Sequence, residues 1–266
     1  MKKFLYSLFP VILVLALMVF SGCSVPKEHR GSKDVLFQAS TINALLAGIY
    51  DGDMTFRTLK LHGDFGLGTV NGLDGEMIAL EGKFYQIKTD GKAYLIPDTM
   101  KTPFAEVTFF TPDTTFKIKD SIGNYVQLKS YLSRLLSVKN IFYAIKIEGT
   151  FSYIKTRSVP SQKKPYPLLV NVVKHQATFE FHEVKGTMVG FWCPAYVKGI
   201  SVPGYHFHFI TADRKAGGHV LASSIQNVTV KIDPISSFYM VLPQSKAFDN
   251  VDLTGGKQKE LEKVEK

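Results

Sequence analysis

The chain has 266 residues, of which 45% are hydrophobic, 12% aromatic and 21% charged, so it can bury a sizeable core and wholesale disorder is excluded. Its 21 glycines and 12 prolines exclude a collagen-like or low-complexity chain, and two cysteines exclude a disulfide-stapled scaffold. The formal net charge of +9 suits nucleic acid, an anionic membrane or an anionic substrate.

Lys2 and Lys3 precede an apolar run over residues 4–20, which ends at Ser21, Gly22 and Cys23. A charged start, an apolar middle and small residues at the end are the layout of an export signal. Ser7 and Pro10 interrupt the run, and it falls short of the ~20 residues of a spanning helix. Phe20-Ser-Gly-Cys23 resembles a bacterial lipoprotein signal, with Cys23 as the lipidated first residue of the mature chain. Plain secretion with Cys23 unmodified is the other reading. Residues 1–22 are therefore expected to be a signal peptide and 23–35 a polar tether. The expected location is outside the cell membrane, held by a lipid anchor or released. Export argues against a nucleic-acid partner.

A helix is expected over residues 41–49, where Ile42, Leu45, Leu46 and Ile49 share a face behind Ser40 or Thr41 as cap. Strand patterns follow at 77–80, 83–88, 93–96 and 105–110, punctuated by Asp74-Gly75, Asp90-Gly91 and Thr102-Pro103. Leu128, Leu132, Leu135 and Leu136 predict a second helix over 125–136. Strands resume at 142–155, and 157–167 is a loop. Further strands are expected at 168–173, 177–181, 188–192, 205–211, 219–223, 228–232 and 238–242. The charged tail from Gly255 reads as helical or loose. The class is α+β with sheets predominating: an N-terminal α+β domain over 36–138, a C-terminal one over 139–250 and a tail over 251–266.

A weak internal repeat supports two related halves. Residues 78–89 align with 200–211, matching Gly82 to Gly204 and placing Phe84 and Gln86 where the second half has His206 and His208. Gly68-Thr69 and Gly186-Thr187 precede the two segments.

Three of the seven histidines, His206, His208 and His219, fall within fourteen residues. On a strand, residues i and i+2 point to one face, with Cα atoms roughly 6.5–7 Å apart. A turn through Asp213–Gly218 would return the chain with His219 on the neighbouring strand. Three imidazoles can then hold one metal ion and leave positions open, the arrangement of a catalytic site rather than a closed structural one. Surface or core histidines are the plain alternative. His29, in the tether, and His175 and His182 read as surface residues. His62, in a tight turn, reads as structural or as a support to the site. Cys193 reads as a buried small hydrophobe. Arg157 ends a strand before a loop, where a fixed guanidinium can grip a carboxylate through two parallel hydrogen bonds. Glu76 reads as a turn residue on composition alone, and Glu260, Glu262 and Glu265 as a solvated face.

These stretches together resemble the alpha-acetolactate decarboxylase family from about Phe37 to the C-terminus. The matching blocks are residues 38–52 (QASTINALLAGIYDG), 62–69 (HGDFGLGT), 73–77 (LDGEM), 102–105 (TPFA), 155–157 (KTR), 202–209 (VPGYHFHF) and 213–219 (DRKAGGH). Several blocks in order are a far more specific signal than one short motif. The resemblance implies two α+β domains, a homodimer, and Zn2+ held by His206, His208 and His219. It implies the active-site arginine at Arg157, a glutamate beside the metal at Glu76, a substrate-side threonine at Thr69 and a tail glutamate at Glu265. The implied reaction converts 2-acetolactate to acetoin and CO2, with the metal stabilising the enediolate. Glu76 or Glu265, directly or through Arg157 or a water, is the implied proton source for C2. Zn2+ and Arg157 are expected to hold these carboxyls low, which strains a direct acid role, so glutamate, arginine and water all stay open as the proton source.

Three other readings stay open. One is a non-catalytic zinc-binding lipoprotein. Another is a zinc carboxy-lyase acting on a different 2-hydroxy-3-oxo acid. The third is a basic nucleic-acid-associated protein, which would show strongly salt-dependent binding.

Overall fold

The structure, a computed structural model, describes residues 33–265. The expected signal peptide, Cys23, His29 and most of the tether lie outside the described residues. In chain order the elements are β1 (Val35–Ala39), α1 (Ile42–Leu46), β2 (Met54–Thr55), α2 (Phe56–Leu59), β3 (Phe65–Thr69), β4 (Glu76–Leu80), β5 (Lys83–Ile87), β6 (Ala93–Leu95), β7 (Lys101–Thr102), β8 (Ala105–Thr108), β9 (Thr114–Ile118), α3 (Tyr125–Leu135), β10 (Phe142–Ser158), α4 (Leu169–Val172), β11 (Ala177–Cys193), β12 (Gly204–Thr211), β13 (Gly217–Ile235), β14 (Ser237–Val241), α5 (Lys246–Asn250) and α6 (Gln258–Val264). Among the described residues, no helix is long and apolar enough to cross a membrane.

Two main sheets carry the fold, as an α+β class requires. The first is seven-stranded, in the order β14-β1-β8-β3-β4-β5-β6. The second runs β10-β11-β12-β13-β9, and β10 also pairs with β13, so β10, β11, β12 and β13 close on themselves. The expected break at residue 138 does not divide the sheets. β9, from the first half, pairs with β13, and β14, from the second half, pairs in parallel with β1. Side-chain alternation sets the layers. In β4, Ile78 and Leu80 pack between the two sheets with Phe191 and Ile210, while Met77 and Ala79 face the opposite side with Phe56 and Phe84. The first sheet is thus buried on both faces. The second sheet wraps a core of its own, where Phe207 and Phe209 meet Leu128 and Leu132 of α3.

The helices start where capping chemistry allows. Thr41 Oγ1 accepts from Ala44 N at 3.2 Å, and Asn124 Oδ1 accepts from Gln127 N at 2.9 Å. Four expectations are corrected. Residues 168–173 form no strand; they turn into α4 and a short 3-10 helix, with Leu169 and Val172 packed against Ile42 and Leu45 of α1 and Leu261 and Val264 of α6. The strands expected at 177–181 and 188–192 are one, β11, and those at 219–223 and 228–232 are one, β13. β3, which follows the turn around His62, was not among the expected strands. A Cβ at Gly66 would lie 2.1 Å from the Glu106 carbonyl oxygen, so glycine there permits close pairing with β8. The repeat aligns β5 with β12, but residues 78–89 are the β4–β5 hairpin while residues 200–211 hold a single strand.

Candidate active site

The histidines are placed by alternation on β12 and by one cross-strand pair. Phe207 and Phe209 go into the second core, which turns His206 and His208 toward the first sheet. His208 is the register partner of His219 on β13, and His219 is in turn opposite Arg157 on β10. Gly218, at φ 139°, makes that approach possible: a Cβ there would sit 2.4 Å from the Arg157 carbonyl oxygen. Thr69 and Glu76 face each other across β3 and β4 of the other sheet. Glu265, at the end of α6, arrives from the tail. Sheet, sheet and tail thus meet at one cavity of ≈ 410 Å³ of non-atom space.

All three histidines are buried, and their ligand nitrogens lie within 4.8 Å of one another. His208 Nδ1 is 2.9 Å from the Met77 carbonyl oxygen and donates to it, which leaves Nε2 for another partner. His206 Nε2 and His219 Nδ1 are 3.2 Å apart, close to the ~3.3 Å between neighbouring nitrogens on a tetrahedral ion at bond lengths of about 2.0 Å. Burial, with the Arg157 charge adding to it, pushes His206 down to about 3. Burial first, then the neighbouring charges, holds His208 and His219 well below the usual histidine value. The triad is therefore neutral and ready to donate lone pairs, and the residues fit a divalent cation.

Acids and a base surround the triad. Glu76 Oε1 is 3.4 Å from Arg157 Nη1, and Glu76 Oε2 is 3.7 Å from His208 Nε2. Glu265 Oε2 is 3.7 Å from His219 Nε2 and 3.9 Å from His206 Nε2. Burial raises both carboxyls to about 7, and Arg157 pulls each back down. The expected lowering counted a bound cation as well as Arg157; against Arg157 alone, desolvation is the larger effect. Glu76 Oε1, Arg157 Nε and His206 Nδ1 are buried without hydrogen-bond partners, so the cavity holds polar groups that a ligand would satisfy. Thr69 Oγ1 donates to the Gly75 carbonyl at 2.6 Å and offers its lone pairs to the cavity it lines.

Of the remaining candidates, His62 stacks on Phe37 at 3.8 Å, away from the cavity, and His175 and His182 are exposed. Cys193 is buried, and burial pushes its thiol up. Glu262 is exposed, so Glu265 is the tail glutamate at the triad. Sequence reasoning missed the apolar walls, among them Ile42, Leu45, Phe104, Val159 and Leu169. The helical face of Ile42 and Leu45 was legible, but as core and not as cavity wall.

Comparison with known proteins agrees with this assembly. The alpha-acetolactate decarboxylase sequence family matches residues 36–255. A Methanosarcina mazei protein named alpha-acetolactate decarboxylase is 52% identical over 242 residues, covering 91% of this chain and 84% of that one. A Bacillus subtilis protein of the same name is 42% identical over 228 residues, covering 84% of this chain and 89% of that one. A crystal structure of alpha-acetolactate decarboxylase from Bacillus subtilis strain 168 superposes with a TM-score of 0.85 at 41% identity, covering 87% of this chain and 99% of that one. With the blocks read from the sequence matched along nearly the whole described chain, and the fold matched with them, the chain belongs to the alpha-acetolactate decarboxylase family.

Proposed function

We propose that this chain is a zinc-dependent carboxy-lyase that converts 2-acetolactate to acetoin and CO2. The observation that carries the reading is the convergence of the buried triad with Arg157, Glu76, Glu265 and Thr69 on one cavity. Three neutral imidazoles with room for further ligands suit zinc. When bound, the ion supplies a Lewis acid for the negative charge that develops beside C2.

The chain's own residues do the rest. Arg157 is buried with Nη1 beside Glu76, and its Nε has no hydrogen-bond partner, so the guanidinium keeps a donor to hold and orient the substrate carboxylate. Thr69 accepts from a substrate hydroxyl. Ile42, Leu45, Leu73 and Phe104 exclude water, which keeps solvent from competing for these contacts. Loss of CO2 leaves an electron pair at C2 that must take up one proton to give acetoin. Before any cation is bound, burial raises Glu76 to about 7, which favours its holding a proton more than an exposed carboxyl would. A bound cation works against that rise. Glu76 and Glu265 stand on different sides of the triad, and each is within reach of the cavity. We assign the proton to Glu76, the acid that also faces Arg157.

Residues 1–23 support an exported chain anchored through a lipid on Cys23, and the family resemblance supports a homodimer. A zinc-binding lipoprotein without turnover would have no use for Arg157, Glu76 and Thr69 in the same cavity.

The deciding assay is acetoin and CO2 release from 2-acetolactate by residues 24–266, before and after zinc is stripped with a chelator. Zinc-dependent acetoin formation that is lost in His206→Ala carries the reading. A folded, zinc-loaded chain that yields no acetoin sinks it in favour of metal binding or a different 2-hydroxy-3-oxo acid. Glu76→Gln is expected to keep zinc and lower kcat by about 10²–10⁴, the usual contribution of a positioned acid. Unchanged proton delivery to C2, read as normal acetoin yield and rate, would remove Glu76 from that role.

A further inference from the structure

The inner cavity has a neighbour. A second cavity of ≈ 860 Å³ of non-atom space shares His206, His219 and Glu265 with it. Its other walls are Tyr125 and Lys129 of α3, the start of β12, and Gln258 and Glu262 of α6. Helix α6 stands between the two. Leu261 and Val264 pack into the apolar cluster with α1 and α4, while Glu265 at its end faces both cavities.

Lys129 carries the positive charge of the described lining of this outer cavity. Its Nζ lies 4.4 Å from the centre of the Tyr125 ring, so the half-buried ammonium is held on the wall. It is close enough for its field to act on Glu265. Glu262, the outer acid, lines the same cavity, but it is exposed to solvent and already accepts from Gln258 Nε2 at 3.2 Å. Elsewhere the walls of the inner cavity are largely apolar side chains such as Leu45, Phe104 and Leu169, which offer no partner to a carboxylate in transit.

We propose that the outer cavity is the route by which an anionic 2-hydroxy-3-oxo acid reaches the triad, and that Lys129 is the entry residue that draws its carboxylate in. The inference rests on the carboxy-lyase reading above. Lys129 does not touch the reacting atoms; it raises the local concentration of substrate anion ahead of Arg157.

The test is steady-state kinetics of the zinc-loaded enzyme on 2-acetolactate, at low and at high salt. Lys129→Ala is expected to lower kcat/KM about three- to tenfold at low salt, through KM and not kcat. Lys129→Glu should fall further and Lys129→Arg should stay near the parent. Added salt should draw all four proteins together, because screening removes a field but not a packing contact. On the facing wall, Gln258→Lys should raise kcat/KM at low salt, which keeps the proposal testable if the Lys129 variants fold poorly. Loss of kcat at constant KM, a loss that salt leaves alone, or no response in any variant overturns the proposal while acetoin formation by the parent stands. A parent that makes no acetoin overturns the reaction, and this route with it.

Discussion

Replacing His208 with alanine is expected to remove zinc and acetoin formation together. His208 is 1% exposed and is held by its Nδ1 bond to Met77, so its loss takes away one of the three candidate ligands and that hydrogen bond with it. Metal content should drop from one ion per chain toward none, and kcat/KM should fall by on the order of a thousandfold or more. Elemental analysis of the purified variant beside the acetoin assay checks both. A variant that keeps full zinc occupancy would show that the other residues suffice and that the triad is misassigned. The same burial makes a pH prediction. Protons compete with metal only where the imidazoles can be charged. Here burial holds His206 down to about 3 and the other two well below their usual value, so the neutral forms persist as pH falls. Zinc should stay bound well below pH 6, where an exposed triad begins to release it.

Arg157→Lys is expected to keep the zinc and lose the reaction. A lysine preserves one positive charge but not the planar fork that fits a carboxylate. We expect kcat/KM to fall roughly 10²- to 10³-fold with metal content unchanged. Arg157→Ala should fall further and also shift the pH profile. Arg157 lowers both Glu76 and Glu265, so its removal lets each rise further, and the limb set by these carboxyls moves to higher pH. Metal analysis with a pH series of kcat/KM reads both effects. Zinc lost along with activity would make Arg157 a support for His219, its cross-strand partner, and not the carboxylate grip.

What was legible in the sequence was local. The i, i+2 spacing of His206 and His208 was readable because a strand has only two faces, and Phe207 and Phe209 fill the other. The helix around Leu128 and Leu132 was readable for the same reason at helical period: the residues of its buried face lie within a dozen positions. The short apolar run at 168–173 was ambiguous, since a strand and a buried helical turn look alike at that length. It became α4 because α1 and α6, far away in sequence, offer it an apolar surface. β3 had no strand signal of its own, because its glycines are needed only against β8, which approaches too closely for a Cβ at Gly66.

By itself the sequence determined a sheet-rich α+β chain, a metal-ready triad and, through its ordered blocks, the family. Tertiary structure alone decided how the strands are shared between the two sheets, with β9 and β14 crossing the expected boundary. It also brought Thr69, Glu76, Arg157 and Glu265 to the histidines across as much as 150 positions of chain, burying the first three and leaving Glu265 partly exposed. The division has one physical cause. Strand and helix periodicity act over a few residues, whereas burial, and the desolvation that raises Glu76 and Glu265 toward neutrality, exists only where distant segments exclude water together.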